Sequence, residues 1–199
     1  LDKGETESMK RIFTIAVVAA SLGAVSSAYA ADPAALKAEA AGVVKAFGGP
    51  LKQTLVGAMK NGGPVNAIEA CNTKAPGIAQ KAAADSGWSV GRTSLKLRNG
   101  GNKPDAWELA TLMEFEARKA GGEKPGTIAK AEIVEENGKK TFRFMKAIGT
   151  GDVCLNCHGS DLKPEVTAKL DSLYPHDQAR GFAKGDIRGA FTLDRKSGV

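Results

Sequence analysis

The order of helix-like and strand-like segments predicts an α+β domain, in which a helical N-terminal half precedes a small antiparallel sheet carrying helices on one side. Three observations predict this. Alanine-rich segments separated by Gly/Pro pairs come first, two strand-like runs flank an Asn-Gly pair, and a glycine-marked stretch leads into a last strand-like run. No internal repeat interrupts the order. We therefore expect one domain over residues 31–199.

Four helices are predicted in the N-terminal half, because alanine favours the helix and Gly/Pro pairs end helical segments. They cover residues 34–47, 51–60, 65–73 and 77–86. An extended run is then predicted over residues 88–98, where Val, Thr and Leu recur, and it ends at the glycine-rich turn that follows.

The second half of the chain is predicted to supply most of the sheet. Asp105 and Glu108 have the spacing of a capping box at the start of a helix. Two strands are predicted to form a hairpin around Asn137-Gly138, the dipeptide favoured in tight hairpin turns. The elements expected here are strands at 128–135 and 140–148, a helix at 164–173 and a final strand at 187–194.

The N-terminal segment has the pattern of a secretory signal peptide. Met9-Lys10-Arg11 is basic, residues 12–25 are apolar, and Ala28-Tyr29-Ala30 is a small-residue cleavage site. We therefore expect residues 1–30 to be a leader, with residues 1–8 as an upstream extension. The mature domain would begin at Ala31 in the periplasm and would not span the membrane, because no later apolar run is long enough.

The charge balance excludes one class of partner. The chain carries 28 Lys and Arg against 22 Asp and Glu, a formal net charge of +6. These basic residues are scattered, without a dense run or interleaved aromatic residues, so nucleic acid is not expected as a ligand. A basic surface does favour acidic redox partners.

The segment Cys154-Leu155-Asn156-Cys157-His158 is the attachment motif of c-type haem. Two thiols at this spacing on a turn can add across the two vinyl groups of one porphyrin, and the next imidazole reaches the iron. The motif therefore predicts one covalent haem c, anchored by Cys154 and Cys157, with His158 as an axial ligand. Export supports this, because bacterial haem c is attached outside the cytoplasm.

Two alternatives to haem use the same cysteines. A structural zinc site needs four ligands, and Cys71, Cys154, Cys157 and His158 would just supply them. A thioredoxin-like redox pair would lie in a βαβ unit, which the chain does not predict, and does not call for the adjacent histidine.

The second axial ligand is left open by the residue types. Histidine and methionine are common in cytochromes, so His176 or a methionine is favoured on that ground alone. Cys71 is unusual, because it is an odd cysteine in a compartment where thiols are oxidised. The other candidates are Met59, Met113 and Met145.

Four groups of residues together resemble the PAS-like c-type haem domain family, long catalogued as a domain of unknown function. The resemblance covers nearly the whole mature chain in the family's order. The matching runs are residues 68–72 with 75–79, 90–99 with 102–105, 154–159, and 174–190.

This resemblance implies a PAS-like sheet and a haem iron ligated by His158 and Cys71. His176, which the residue types favour, is kept as the alternative to Cys71. An anionic thiolate stabilises ferric iron, so a low midpoint potential is expected. Reduction would weaken the thiolate and open the iron to a small gas ligand. Arginines pair with carboxylates, so Arg92, Arg98 and Arg188 are candidate contacts of the haem propionates, with Arg180 as a further one.

Three function classes follow from this reasoning. The first is a periplasmic redox sensor or signalling module, which acts through an unidentified redox partner protein. The second is a soluble periplasmic electron-transfer cytochrome. A haem enzyme ranks last, because a six-coordinate ferric iron offers no open position, so we expect no enzymatic activity. A homodimer remains an alternative to a monomer.

Overall fold

The computed structural model describes residues 32–195, and the predicted signal peptide lies outside them. Within this range, no helix combines the length and the apolar character needed to cross a membrane. The elements in chain order are α1 (Pro33–Ser86), β1 (Ser89–Thr93), a short 3-10 turn (Gly100–Asn102), α2 (Ala106–Ala120), β2 (Ala129–Glu136), β3 (Lys139–Gly149), α3 (Asp152–His158), α4 (Pro164–Leu173) and β4 (Ile187–Arg195).

The expectation of four N-terminal helices is wrong, because helix α1 is broken at one place only. The non-helical dihedral angles lie at Gly62 and Gly63, and Gly63 has φ 68° with ψ −162°, which glycine adopts readily. The helix continues through Gly48 because Phe47 is buried and packs edge-on against Phe191 of β4, with ring centroids 5.6 Å apart. A Cβ atom on Gly48 would lie 3.0 Å from the Phe191 ring, so glycine there permits close packing on the sheet.

The break divides α1 into a first arm, residues 33–61, and a second arm, residues 64–86. Two hydrogen bonds connect the arms at opposite ends. Asn66 Nδ2 donates to the carbonyl of Ala58 at 3.0 Å, and beyond the second arm Trp88 Nε1 donates to Glu39 Oε1 at 2.9 Å. The second arm therefore runs back along the first and carries Cys71 with it.

The sheet has four strands in the order β1-β4-β3-β2, and every neighbouring pair is antiparallel. The predicted hairpin is confirmed, with Asn137 at φ 54° and Gly138 at φ 71° in the turn. The predicted capping box is also confirmed. Asp105 Oδ1 accepts the N–H of Glu108 at 2.8 Å, and Glu108 Oε2 accepts the N–H of Asp105 at 2.9 Å.

Helices cover both faces of the sheet, and the expectation that they lie on one side is wrong. Successive residues of a strand point to opposite faces, so each strand supplies two apolar surfaces. One surface packs against the first arm of α1 and includes Phe142, Phe144 and Leu193. The other packs against α2 and includes Met145, Ala147 and Ala190.

A third apolar cluster holds the second arm of α1 against the last two helices. It joins Ile68 of α1, Cys157 of α3, and Val166 and Leu170 of α4. Val166 and Leu170 are fully buried, and burial of each side chain stabilises the fold by roughly 1.5–3 kcal/mol. Since Ile68 lies one turn before Cys71, this packing fixes the position of Cys71 relative to α3.

Candidate functional site

Helix α3 carries the two motif cysteines and the motif histidine. The sequence suggested a turn, and the structure forms a seven-residue helix, Asp152–His158, in which positions three apart share a face. Cys154 and Cys157 have this spacing. The N–H of Gly151 lies 3.4 Å from Cys154 Sγ, and the helix ends at Gly159, whose N–H donates to the carbonyl of Leu155 at 3.0 Å.

The imidazole of His158 is fixed in one tautomer. Its Nδ1 lies 2.7 Å from the carbonyl oxygen of Ala179, and because a carbonyl can only accept, Nδ1 carries the proton. Nε2 is therefore the basic nitrogen. Burial first, and then the nearby charges of Arg188 and Arg98, lower the pKa of His158 to about 3. The ring is neutral at pH 7, which is the form that binds a metal.

Arg98 lies beside this imidazole and is held by several acceptors. Its Nη1 is 3.4 Å from His158 Nε2. Its Nη2 donates to the carbonyl of Cys157 at 2.5 Å and to the carbonyl of Ala179 at 3.1 Å. The same guanidinium forms an ion pair with Asp177 at 3.0 Å. Arg98 is thus neutralised by a carboxylate and already engaged with the backbone.

Asp177 is buried, with 1% of its side chain exposed. Burial by itself would raise the pKa of this carboxyl, but the hydrogen bonds from Arg98 and Arg180 and from the Ala179 N–H bring the pKa below its ordinary value. Arg180 contacts Asp177 through Nε at 2.8 Å and Asp171 through Nη2 at 2.5 Å. Two arginines therefore share one buried anion.

Arg188 lies at an irregularity in the sheet. Ile148 of β3 pairs with Gly189 and Gly149 pairs with Ile187, so Arg188 is the extra residue of a β-bulge in β4. Bulges of this kind redirect a side chain. Ser94 Oγ donates to the carbonyl of Arg188 at 2.8 Å. A Cβ atom on Gly189 would lie 2.4 Å from the carbonyl oxygen of Thr93, so this glycine serves close backbone contact at the bulge.

Arg188 and Arg92 form a pair of positive charges without a carboxylate. The Nε of Arg188 is buried and has no hydrogen-bond partner among the described residues. Burial lowers the pKa of both arginines; for Arg188 the charge of Arg92 lowers it further, and for Arg92 the nearby Cys71 opposes the shift. Within residues 32–195, no Asp or Glu carboxylate contributes to the shift in either pKa.

Cys71 is half-buried on the second arm of α1 and lies close to the same charges. Burial raises the pKa of its thiol above the ordinary value, and the charges of Arg92, Arg188 and Arg98 offset this only in part. Burial raises the pKa of the Cys157 thiol, and a negative charge on Cys71 raises it further. The structure thus brings Cys71, the motif residues and the three arginines into one region.

The remaining ligand candidates differ in their exposure. His176 is exposed in the turn after α4, and Met113 is 62% exposed on α2. Met145 is buried between the sheet and α2, and Met59 is half-buried near the break in α1. In the described part of the chain, no group of three or more His, Cys, Asp or Glu side chains converges as a metal site, which is the arrangement a structural zinc would need.

Sequence reasoning did not single out Asp177 or the carbonyl of Ala179. Asp177 lies inside one of the matching runs, but its role depends on contacts with Arg98 that span 79 residues. The backbone carbonyl leaves no trace in the sequence. The signal that could have found Asp177 was a lone acid placed between His176 and Arg180 in a motif rich in basic residues.

The fold and the site define a class: an α+β domain in which a C-x-x-C-H helix and a distant cysteine lie close to half-buried arginines. The family model described as Tll0287-like matches residues 8–194, and the chain belongs to the Tll0287-like family. The crystal structure of the cyanobacterial haem protein Tll0287 is similar in fold, with a TM-score of 0.62 and 24% sequence identity. The match covers 84% of this chain and 98% of that one. No curated protein matches the chain.

Proposed function

We propose that this chain is a periplasmic mono-haem c-type protein that acts in redox sensing or signalling. Cys154 and Cys157 would hold the haem covalently, and His158 and Cys71 would be its axial ligands. The observation that carries the proposal is the state of His158. A neutral imidazole with its Nδ1 proton on a carbonyl presents Nε2 as a ligand, directly beside two thiols on one helical turn. Membership of a family that includes a haem protein supports it.

The charges of the site fit a haem. A buried cation without a partner is costly, and an arginine that is paired loses most of that cost. Haem carries two propionates, and Arg92 and Arg188 are two neighbouring arginines without a carboxylate. We therefore assign these two as the main propionate contacts. Arg98, which Asp177 already neutralises, is a weaker candidate for that role.

The residues around Cys71 suit a ligand that responds to redox state. Haem, when bound, supplies one-electron chemistry at its iron. Arg92, Arg98 and Arg188 favour the thiolate form of Cys71, whereas burial favours the thiol. The pKa of the free thiol stays above its ordinary value, so a Cys71 thiolate that ligates ferric iron would be protonated and lost more easily after reduction, which would leave room for a small gas ligand. A sensor needs such a two-state element.

The alternative function is soluble electron transfer in the periplasm. Leu95 and Val153 are exposed apolar side chains in the segments that carry Arg98 and Cys154. Apolar surface beside a redox site suits brief contact with a partner protein, and this observation favours the carrier. Neither function requires a catalytic residue, and we propose that the chain is not an enzyme.

The test of covalent attachment is intact mass after expression in a host that matures c-type cytochromes. The protein should exceed the polypeptide that begins at Ala31 by one haem, and acid–acetone should fail to extract it. This result also tests cleavage of the signal peptide.

Matched cysteine variants separate the proposed roles. Cys154→Ser with Cys157→Ser should lose covalent haem, whereas Cys71→Ser should keep it, because Cys71 is assigned to the iron and not to the porphyrin. A protein that contains zinc and no iron, or a Cys71→Ser variant that alone loses the covalent haem, would overturn the assignment.

A further inference from the structure

The buried carboxylate of Asp177 organises the segment that faces His158. Its Oδ1 accepts the Ala179 N–H at 3.0 Å, which fixes the turn over residues 177–179. Its Oδ1 and Oδ2 also accept Arg98 Nε at 3.0 Å and Arg98 Nη2 at 3.2 Å, so the guanidinium is held in a bidentate geometry. Arg180 Nε adds a fourth donor at 2.8 Å. The carboxylate thus sets the position of both a backbone turn and a cation.

Both of these groups contact the motif helix. The carbonyl of Ala179, oriented by the turn, accepts the Nδ1 proton of His158 at 2.7 Å. Arg98 donates to that same carbonyl and to the carbonyl of Cys157, and its Nη1 lies 3.4 Å from His158 Nε2. Asp177 therefore reaches the imidazole by two routes, although it does not touch it.

We propose that Asp177 is a positioning residue that sets the donor strength of His158 towards the iron. The inference rests on the proposed function, because it concerns the iron ligand. The carboxylate acts by holding the Ala179 carbonyl on the Nδ1 proton and by neutralising and restraining Arg98 beside Nε2. Hydrogen bonds to the second nitrogen of a metal-bound histidine fix the ring and raise its basicity.

The two routes change the redox equilibrium in the same direction. If the carbonyl is displaced, the imidazole becomes a weaker donor, and ferric iron loses stabilisation. If Asp177 loses its charge, Arg98 remains as an unneutralised cation near the iron, and this also disfavours the ferric state. Both effects predict a higher midpoint potential when Asp177 is replaced.

The experiment is a redox titration of the haem-loaded protein in three variants. Asp177→Asn keeps the shape and removes the charge, and it should shift the ferric/ferrous equilibrium about tenfold towards ferrous, about 59 mV for one electron. Asp177→Glu keeps the charge but alters the reach, and it should shift the equilibrium less, in the same direction. Asp171→Asn removes the exposed partner of Arg180, and it should change the equilibrium by less than about twofold.

A second measurement reports the position of the carbonyl. Exchange of the His158 Nδ1 proton with deuterated water, followed by proton NMR, should be faster in Asp177→Asn than in wild type and unchanged in Asp171→Asn. A purely structural carboxylate would affect thermal unfolding and leave both the exchange and the equilibrium alone.

The outcomes separate this inference from the proposed function. A wild-type protein without covalent haem overturns both. A haem-loaded Asp177→Asn with the wild-type equilibrium overturns only the role of Asp177. A shift in Asp177→Asn with none in Asp177→Glu shows that only the charge of Asp177 matters, and this overturns its role as a positioning residue. If Asp177→Asn yields no haem-loaded protein, the test uses Asp177→Glu alone. An equilibrium shifted towards ferrous then supports the role of Asp177, and the wild-type equilibrium overturns it.

Discussion

Arg143 and Arg188 belong to the same sheet, but the charges around them are opposite in kind. Arg143 in β3 has 8% of its side chain exposed, pairs with Asp105 at 2.7 Å and Asp194 at 2.9 Å, and lies 4.5 Å from the ring centroid of Trp107. Burial alone would lower the pKa of Arg143, but these carboxylates raise it above its ordinary value. For Arg188 the pKa is lowered, and no carboxylate of the described residues contributes.

The difference separates a structural charge from one that suits a ligand. When the counter-ions of a cation belong to the same chain, removing the cation destabilises the fold. A cation that is withdrawn from water without a counter-ion is itself unfavourable, and binding of an anion relieves that cost. Arg143 belongs to the first kind, and Arg188 with Arg92 to the second. The α2 face of the sheet thus contains both the cation and its carboxylates, whereas the bulge in β4 contains a cation to which we have assigned a haem propionate as the partner.

The largest effect on stability is expected from breaking the ion pairs of Arg143 with Asp105 and Asp194. Arg143→Gln should lower the free energy of unfolding by about 3 kcal/mol, because it leaves carboxylates without their buried partner and removes a stacking contact on Trp107. Urea denaturation of haem-free and haem-loaded protein should show the same loss. A loss below about 1 kcal/mol, or one that appears only with haem bound, would contradict the assignment of Arg143 as a structural charge that does not depend on haem.

A smaller effect on stability, of opposite sign, is expected from replacing Arg188. Arg188→Gln should leave the free energy of unfolding of the haem-free protein unchanged or raise it by about 1 kcal/mol, because it removes a half-buried guanidinium whose buried Nε has no partner among the described residues. In the haem-loaded protein it should reduce the stabilisation given by haem. Arg188→Lys, which keeps a positive charge, is the control. Equal destabilisation of both forms by Arg188→Gln would contradict the assignment.

The smallest expected effect is a loss of stability at low pH through Asp105. Burial raises the pKa of Asp105, but the hydrogen bonds from Arg143 and from the Glu108 N–H outweigh it, and the pKa lies below its ordinary value. A carboxyl with a depressed folded-state pKa contributes stability above its unfolded value, about 3.9, and loses it as the pH falls through the folded value. Unfolding free energy should therefore decline below about pH 4.

The matched variants are Asp105→Asn and Asp152→Asn. Asp105→Asn should flatten the acid decline, measured by urea denaturation at several pH values. Asp152→Asn removes a carboxylate that is 77% exposed and controls for the change in net charge. An equally steep decline in Asp105→Asn would show that this carboxyl does not couple to Arg143.

Local sequence signals predicted the second half of the fold well. The turn at Asn137-Gly138 and the cap at Asp105 depend on residues close in sequence, and both are confirmed. The breaks in α1 were predicted less well. Packing of Phe47 on Phe191 holds the helix through Gly48, and this contact joins residues 144 positions apart, which no local pattern reveals.

In the site, too, features that depend on nearby residues could be predicted, and features that depend on long-range contacts could not. The motif at Cys154 to His158 can be recognised from spacing alone, and the structure places Cys71 in the same region. The unequal roles of the arginines could not be predicted. Arg98 and Arg188 have similar sequence surroundings, but Asp177 neutralises one of them, and a bulge buries the Nε of the other.

The most direct test of the central claim is the EPR spectrum of the ferric protein. The wild type should show a low-spin, thiolate-type signal, because Cys71 is assigned as the ligand opposite His158. Cys71→Ala should lose that signal and gain a higher midpoint potential, while His176→Ala should keep it, since His176 is exposed in its turn. If His176→Ala removes the sixth ligand and Cys71→Ala does not, the bis-histidine carrier is correct and the proposed thiolate switch is wrong.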